Sequence, residues 1–198
     1  MKRTIVFATS NKNKVKEVKE MLAPLDIDLL TLKDLNLEIT AIETETTFEG
    51  NALIKARDIA SKCSYPVLAD DSGLSIEAFG GFPGVHSARF MEGQPYPDKC
   101  QALIRMLEND RDRKASYFDA MVYIDSAKKI EKTVVGRTDG EITKTYDENA
   151  PYGFGYDPIF YSYELKKTFG RSTPSEKDSI SHRGRALQQM LDFLRTLN

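Results

Sequence analysis

The order of apolar runs and helical stripes at the start of the chain constrains the fold most. A short buried strand is predicted over 4–8 and a second over 27–32. The segment between them has helical spacing, carried by Val15, Val18, Met21 and Leu22. A further apolar stripe predicts a helix over about 47–62 with Thr47 as its N-cap. This alternation of strands and helices favours an α/β fold with partly parallel strands.

The middle of the chain is richer in β structure. Residues 66–69 predict a short strand that ends in an acidic turn at 70–73, and a helix is predicted over 98–108. Residues 118–124 and 130–137 predict a hairpin, and a further strand over 141–145 follows a turn at Asp139 and Gly140. A last helix begins near Ser181. We expect one domain over 1–198, with a mixed β-sheet flanked by helices.

Composition limits the classes of function. Of the 198 residues, 40% are hydrophobic and 29% charged, as in globular proteins. The net charge of -2 provides no general attraction to nucleic acid or to an anionic membrane. There is no signal-peptide pattern, and no apolar run approaches the ~18 residues of a membrane span. We expect a cytoplasmic protein without nucleic-acid or membrane partners, in which local charge holds any polyanionic ligand.

A polar turn joins the first predicted strand to the first predicted helix. It consists of Thr9, Ser10, Asn11, Lys12, Asn13 and Lys14. Free amides at a helix start, the positive end of the helix dipole and a lysine together make a cradle for phosphate. The turn lacks the glycine patterns of the dinucleotide-binding and P-loop folds. The alternative is a helix cap followed by a solvated basic helix face.

Lys55 and a set of carboxylates form a second group. Lys55 lies seven residues after Phe48, near the apolar stripe of its predicted helix, so it either extends to water or needs an anionic partner. The available acids are Glu43, Glu45, Glu49, Asp70 and Asp71. Carboxylates are ligands that Mg²⁺ prefers. Adjacent strand residues point to opposite faces, so Asp70 and Asp71 cannot share a task unless the chain turns; the alternative is an acidic, capped turn.

The third group lies in the last quarter of the chain. In the segment GFGYDP, the rings of Phe154 and Tyr156 could stack on a planar base and Asp157 could accept a ring N–H, although such aromatic residues also serve as core residues. His182 and Arg183 lie near a helix N-terminus, where the dipole disfavours cations, so they either contact a ligand or face water. Lys177 adds a third donor nearby.

Five segments together resemble the Ham1-like inosine/xanthosine triphosphate pyrophosphatase family. In chain order they are ATSNKNKVKE, TFEGNALIKA, ADDSGLSIEAFGGFPGVHSAR, GFGYDPIF and EKDSISHRGRAL, and they cover nearly the whole chain. The resemblance implies an elongated α/β fold with a central mixed sheet, two lobes, a cleft between the lobes and a homodimer. It also implies Mg²⁺-dependent hydrolysis of ITP, dITP and XTP to the monophosphate and pyrophosphate, which cleanses the nucleotide pool.

The resemblance assigns roles to residues of this chain. The phosphate turn falls on Thr9 to Lys14, and the lysine that neutralises the triphosphate is Lys55. Glu43 and Asp71 are the metal ligands, with Asp71 also the catalytic base. The substrate-contacting residues are Ser72, Phe154, Gly155, Tyr156, Asp157, Lys177, His182 and Arg183. This chain departs from the family at Lys12 and Asn13, where glycine is frequent; at Ile42, where a second acid is frequent; and at Tyr152.

The resulting hypothesis is attack of water on the α-phosphorus. Asp71 positions and deprotonates the water, while Lys14 and Lys55 offset the charge of the triphosphate. The O6 acceptor of hypoxanthine or xanthine suits the donors Lys177, His182 and Arg183. Two alternatives are a Maf-like pyrophosphatase acting on other nucleotides and a nucleotide sensor that binds without turnover.

Overall fold

The structure is a computed structural model that describes residues 3–109 and 112–197. The predicted domain over 1–198 thus includes positions 1, 2, 110, 111 and 198, which lie outside the described residues. The strands are β1 (Arg3–Phe7), β2 (Ile27–Thr31), β3 (Val67–Ile76), β4 (Lys114–Asp125), β5 (Ile130–Ile142), β6 (Phe160–Ser162) and β7 (Lys167–Thr168). The helices are α1 (Lys12–Leu22), α2 (Phe48–Ala60), α3 (Tyr96–Met106), α4 (Pro174–Ile180) and α5 (His182–Arg195).

The strands form a seven-stranded mixed sheet. Their order is β2-β1-β3-β4-β5-β6-β7. β1 is parallel to both β2 and β3, whereas β6 is antiparallel to both β5 and β7. This arrangement confirms the α/β class and the mixed sheet. None of the helices in the described residues combines the length and the hydropathy that a membrane-spanning helix needs.

The chain divides into two compact units. The first comprises Met1–Asp71, Asp119–Gly136 and Arg185–Asn198, and the second comprises Ser72–Phe118 and Arg137–Gly184. In the first unit, the strand alternation of β1 places Ile5 and Phe7 in a cluster with residues of α1 and α5, and Val6 in a cluster with residues of α2. Each face of that part of the sheet is therefore covered by helix.

The second unit has its own apolar core. Leu74 and Ile76 of β3, Leu103 of α3 and Tyr117 of β4 belong to it. Phe160 and Phe169 pack against the Tyr117 ring, with centroid distances of 4.8 and 6.0 Å. Aromatic side chains of this size bury large areas and dominate the packing energy of the core that they form.

Two predicted turns are wrong, because both lie inside strands. Asp70 to Gly73 belong to β3, which continues to Ile76. Asp139 and Gly140 belong to β5, which runs without a break from Ile130 to Ile142. Gly140 lies opposite Ser162 of β6, and a Cβ added there would overlap the backbone oxygen of Tyr161. Glycine thus permits close strand pairing here rather than a turn.

Helix starts follow the capping rules. The Thr47 hydroxyl accepts from the Gly50 amide at 3.1 Å, which confirms the predicted N-cap of α2. The last helix begins at His182, as predicted, and α3 begins at Tyr96, two residues before its predicted start. The short helix α4 was not predicted, although Thr173 and Glu176 form a capping box at its start.

Candidate functional site

In the first unit, Lys55 lies between two carboxylates. Its side chain projects from the buried face of α2, and the residue is 7% exposed. The Nζ atom is 2.9 Å from Asp71 Oδ1 and 3.0 Å from Glu43 Oε1. The lysine therefore does not extend to water but has the anionic partners that its position on the apolar stripe requires.

Asn51 holds the loop that carries Glu43. The Asn51 side chain is completely buried, accepts from the Glu45 amide at 3.0 Å and donates to the Glu45 carbonyl at 3.1 Å. These two hydrogen bonds attach the acidic loop to α2, the helix that also provides Lys55. Sequence reasoning missed Asn51, whose only signal was its place in the segment TFEGNALIKA. The side chains of Glu45 and Glu49 are exposed.

Burial and charge act in opposite directions on this cluster. Burial alone lowers the pKa of Lys55, but the negative charges of Asp71 and Asp70 outweigh burial and raise it above its usual 10.5. Burial raises the pKa of Asp71 above 3.8, and the neighbouring Lys55 ammonium only partly offsets this. Asp71 is thus a stronger base than an exposed aspartate.

Asp70 has a different partner from Asp71. Asp70 Oδ2 is 2.8 Å from Lys14 Nζ, and its side chain is completely buried. The two adjacent aspartates thus contact two different lysines, from α1 and α2, as the opposite faces of a strand require. Lys14 already has a carboxylate partner, so part of its cationic charge is offset before any phosphate binds.

A side chain within the predicted phosphate turn caps the start of α1. Asn11 Oδ1 accepts from the Asn13 amide at 3.0 Å and the Lys14 amide at 3.4 Å. This corrects the expectation that amides at the start of α1 are free. Ser10 and Lys12 are exposed, and together with Thr9 they line one side of a cavity of about 630 Å³. Phosphate oxygens would have to share or replace the Asn11 cap.

The acids near Lys55 form a small ligand set. Within the described residues there is no group of three or more His, Cys, Asp or Glu side chains that could hold a metal ion. Mg²⁺, however, usually takes only one or two protein carboxylates and completes its shell with water and substrate phosphates. The buried Asp71 Oδ2 has no hydrogen-bond partner among the described residues, so this oxygen is available to bind a cation or a water molecule. Glu43 and Asp71 therefore fit Mg²⁺ as a two-carboxylate set.

The second unit contains a buried ion pair between Asp157 and Lys177. Their Oδ2 and Nζ atoms are 2.7 Å apart, and both residues are buried. Asp157 Oδ2 also accepts from the Phe154 amide at 2.8 Å, and Lys177 Nζ lies 4.8 Å from the centroid of the Phe154 ring. The pair therefore fixes the GFGYDP segment against α4 and places a partly neutralised ammonium beside a half-buried ring.

Two residues of the GFGYDP segment have structural constraints. Gly153 has φ +81°, and a Cβ added there would lie 2.5 Å from Asp157 Oδ2. Tyr156 is 3% exposed, donates from its hydroxyl to the Ser87 carbonyl at 2.7 Å and packs edge-on against Tyr96. This corrects the expectation that the Tyr156 ring is open for stacking. Phe154 is the better candidate.

His182 and Arg183 are buried at the start of α5 rather than facing water. The two residues are 4% and 2% exposed. Arg183 Nη2 donates to Ser72 Oγ at 3.0 Å, and the His182 ring stacks in parallel on the Tyr117 ring with centroids 4.5 Å apart. Sequence reasoning missed Tyr117, which carries no local signal of this long-range contact.

The predicted site residues fall into two sets, one in each unit. Glu43, Lys55 and Asp71 meet in the first unit, as do Lys14 and Asp70. The turn residues Thr9, Ser10, Asn11, Lys12 and Asn13 also belong to that unit. The second unit holds Ser72, Phe154, Gly155, Tyr156, Asp157, Lys177, His182 and Arg183.

Comparison with known proteins decides the family. A model of the Ham1 family matches residues 5–193 of the chain. The chain belongs to the Ham1 family. The resemblance seen in the five segments is thereby confirmed, with the match covering both units.

Ham1-family relatives agree in sequence and in fold. A dITP/XTP pyrophosphatase of Leptospira interrogans is 43% identical over 198 residues, covering 99% of each chain. That of Flavobacterium johnsoniae is 40% identical over 191 residues, covering 96% of this chain and 97% of its own. Solved structures of Ham1 proteins from Staphylococcus aureus and Coxiella burnetii both have a TM-score of 0.87, at 31% and 36% identity. The Staphylococcus aureus match covers 99% of this chain and 100% of that protein. The Coxiella burnetii match covers 98% of this chain and 99% of that protein.

Proposed function

We propose that this Ham1-family protein is a pyrophosphatase for inosine- and xanthosine-type purine nucleoside triphosphates. It hydrolyses ITP, dITP and XTP to the monophosphate and pyrophosphate and so removes these nucleotides from the pool. The names of its relatives support this activity. The observation that carries the proposal is the Lys55 ammonium held between Asp71 and Glu43, with a free carboxylate oxygen on Asp71.

The chain provides groups for each part of the reaction. Lys55 and Lys14 offset phosphate charge, and Lys55 also holds the Asp71 carboxylate through Oδ1. Asp71 Oδ2 is then free to accept a proton from the water that attacks the α-phosphorus, a task favoured by its raised pKa. Glu43 and Asp71 would hold Mg²⁺, which when bound offsets phosphate charge and acidifies water.

The base is recognised in the second unit. Lys177, His182 and Arg183 are donors that suit the O6 acceptor of hypoxanthine and xanthine, and Phe154 offers a ring for stacking. Asp157 neutralises Lys177 and keeps its ammonium in place. Adenine has an amino donor at that position, which would face these donors instead of an acceptor, so we expect adenine binding to lose ~1 to 3 kcal/mol for each hydrogen bond that cannot form.

Turnover of a nucleotide panel tests the proposal. Purified protein is assayed with and without Mg²⁺ on ITP, XTP, dITP, GTP and ATP, and pyrophosphate is measured separately from orthophosphate. We expect Mg²⁺-dependent pyrophosphate release from the first three. Asp71→Asn should abolish turnover but retain nucleotide binding, whereas Asp192→Asn, which changes an exposed acid of α5, should not alter it. Saturable binding without turnover would support a sensor, and preferred turnover of other nucleotides would support a Maf-like enzyme.

The remaining expectations belong to the same proposal. The protein acts in the cytoplasm, where thiols stay reduced, and both Cys63 and Cys100 are free thiols. It functions as a homodimer without nucleic-acid or membrane partners. Sedimentation equilibrium would test the dimer, and a monomer at assay concentrations would refute it.

A further inference from the structure

Tyr117 lies under His182 but has no place in the proposed chemistry. Its ring is parallel to the imidazole within 8°, at a centroid distance of 4.5 Å. Both residues are buried, at 7% and 4% exposure. Tyr117 comes from β4, a central strand of the sheet, whereas His182 is the first residue of α5. The contact therefore joins a rigid strand to the helix start that carries predicted donors to the base.

The plane of the Tyr117 ring is fixed by the core of the second unit. Phe169 stacks on it within 6° at 6.0 Å, and the Phe160 ring packs against it at 62° and 4.8 Å. Tyr117 itself is buried. Burial raises its pKa well above 10, so the ring remains a neutral phenol. What Tyr117 presents to His182 is a flat, uncharged and immobile face.

A histidine needs such a face if its N–H groups are to point in one direction. The torsion that sets the imidazole plane is broad and roughly two-fold, so rotamer preference alone leaves the plane loosely defined. Both ring nitrogens donate or accept in that plane. Parallel stacking on an immobile ring restricts the plane and therefore the direction of these hydrogen bonds.

We propose that Tyr117 is a positioning residue for base recognition: its ring, and not its hydroxyl, holds the His182 imidazole in the plane from which it hydrogen-bonds the purine base. This inference rests on the proposed function, because it assumes that His182 contacts the base. It adds a residue outside the five family-like segments to the determinants of substrate affinity.

The first test is the chemical shift of the histidine ring protons. His86 and His182 are the only two histidines of the chain, and His86 is exposed, so it provides an internal reference. His86→Gln assigns the two sets of signals. We expect the His182 ring protons upfield of those of His86 in the wild type and in Tyr117→Phe, because each keeps an aromatic face beneath the imidazole. In Tyr117→Leu the upfield shift should disappear.

The second test is kinetic. Base contacts act equally on bound substrate and transition state, so a misdirected imidazole should raise KM and leave kcat nearly unchanged. For ITP, Tyr117→Leu should raise KM about tenfold, the equivalent of one ordinary hydrogen bond. Tyr117→Phe should stay within about twofold of the wild type. Tyr123→Leu is the matched control, since it removes a buried tyrosine of the same strand that lies in the first unit.

Three results would overturn the inference. They are His182 ring protons at the His86 position in the wild type, a KM increase in Tyr117→Phe as large as in Tyr117→Leu, and an equal KM increase in Tyr123→Leu. The wild-type and Tyr117→Phe spectra decide the stacking even if Tyr117→Leu does not fold. Absence of any triphosphate turnover by the wild type would instead refute the proposed function, and the spectra would still show whether Tyr117 orients His182.

Discussion

Replacement of Lys55 by methionine should destabilise the first unit, because it removes the cation between two carboxylates. Lys55→Met keeps the volume of the side chain and deletes only the charge. The side chains of Lys55 and Asp71 are 9% and 10% exposed, and that of Glu43 is 24% exposed. Breaking a buried pair from one side costs about 3 to 5 kcal/mol, and the partial exposure of Glu43 favours the lower end.

A loss of about 3 kcal/mol in a chain of this size lowers Tm by roughly 6 to 12 °C. In urea denaturation, the same loss of stability should appear as a lower midpoint concentration, while the dependence of the unfolding free energy on urea stays unchanged. Lys16→Met is the control, because Lys16 pairs with Glu20 at 3.9 Å in an exposed contact, with side chains 74% and 48% exposed. Such pairs contribute at most about 0.5 kcal/mol.

The loss should depend on pH in a defined direction. Burial already raises the pKa of Asp71 in the wild type, and deletion of the Lys55 ammonium removes the strongest opposing charge. A carboxyl group whose pKa is higher in the folded than in the unfolded protein lowers the stability of the fold once the pH exceeds the unfolded value of about 3.9. The penalty of Lys55→Met should therefore be largest near pH ~8 and shrink toward pH ~4. A penalty no greater than that of Lys16→Met, or one that grows toward acid, would refute the reasoning.

Three further changes test other contacts. Hydrogen bonds from Lys167 and Thr173 lower the pKa of Glu176 to about 2. Glu176→Gln should therefore lower the stability of the protein above pH ~4.5, and acid unfolding should show the difference from the wild type vanish toward pH ~2. Gly153→Ala should cost more in a thermal melt than Gly93→Ala, since both have positive φ but only the first meets the Asp157 carboxylate. Burial raises the pKa of Cys100 to about 12, so a thiol reagent at pH ~8 should label Cys100 only after unfolding.

The features that were predicted correctly from sequence depend on residues that lie close together in the chain. The Thr47 cap, the start of α5 and the helical stripes depend on residues within one or two turns of chain, and they were confirmed. The position of Lys55 on an apolar stripe left two alternatives, extension to water or an anionic partner, and the structure shows the second. The T-x-x-E capping box at Thr173 was an available signal that was overlooked.

The features that were predicted wrongly or missed depend on contacts between residues far apart in the chain. Asp70 and Asp71 resemble strand terminators, yet β3 continues through them because lysines from α1 and α2 neutralise their carboxylates. Gly140 resembles a turn residue, yet its missing side chain lets β6 approach closely. The stack of His182 on Tyr117 joins residues far apart in the chain, and no spacing rule encodes it.

Within residues 3–109 and 112–197, each unit contains a lysine that is less than a tenth exposed and paired with a buried aspartate: Lys55 with Asp71, and Lys177 with Asp157. Withdrawal of such ions from water costs several kcal/mol each, and apolar residues of similar volume often stabilise a protein as well or better. Stability alone therefore does not account for these pairs. Charges already fixed in a site of low dielectric need no reorganisation when a charged or polar ligand arrives. Under the function proposed above, the pairs would preorganise contacts for phosphates in the first unit and for a purine base in the second, which would explain why the chain retains both.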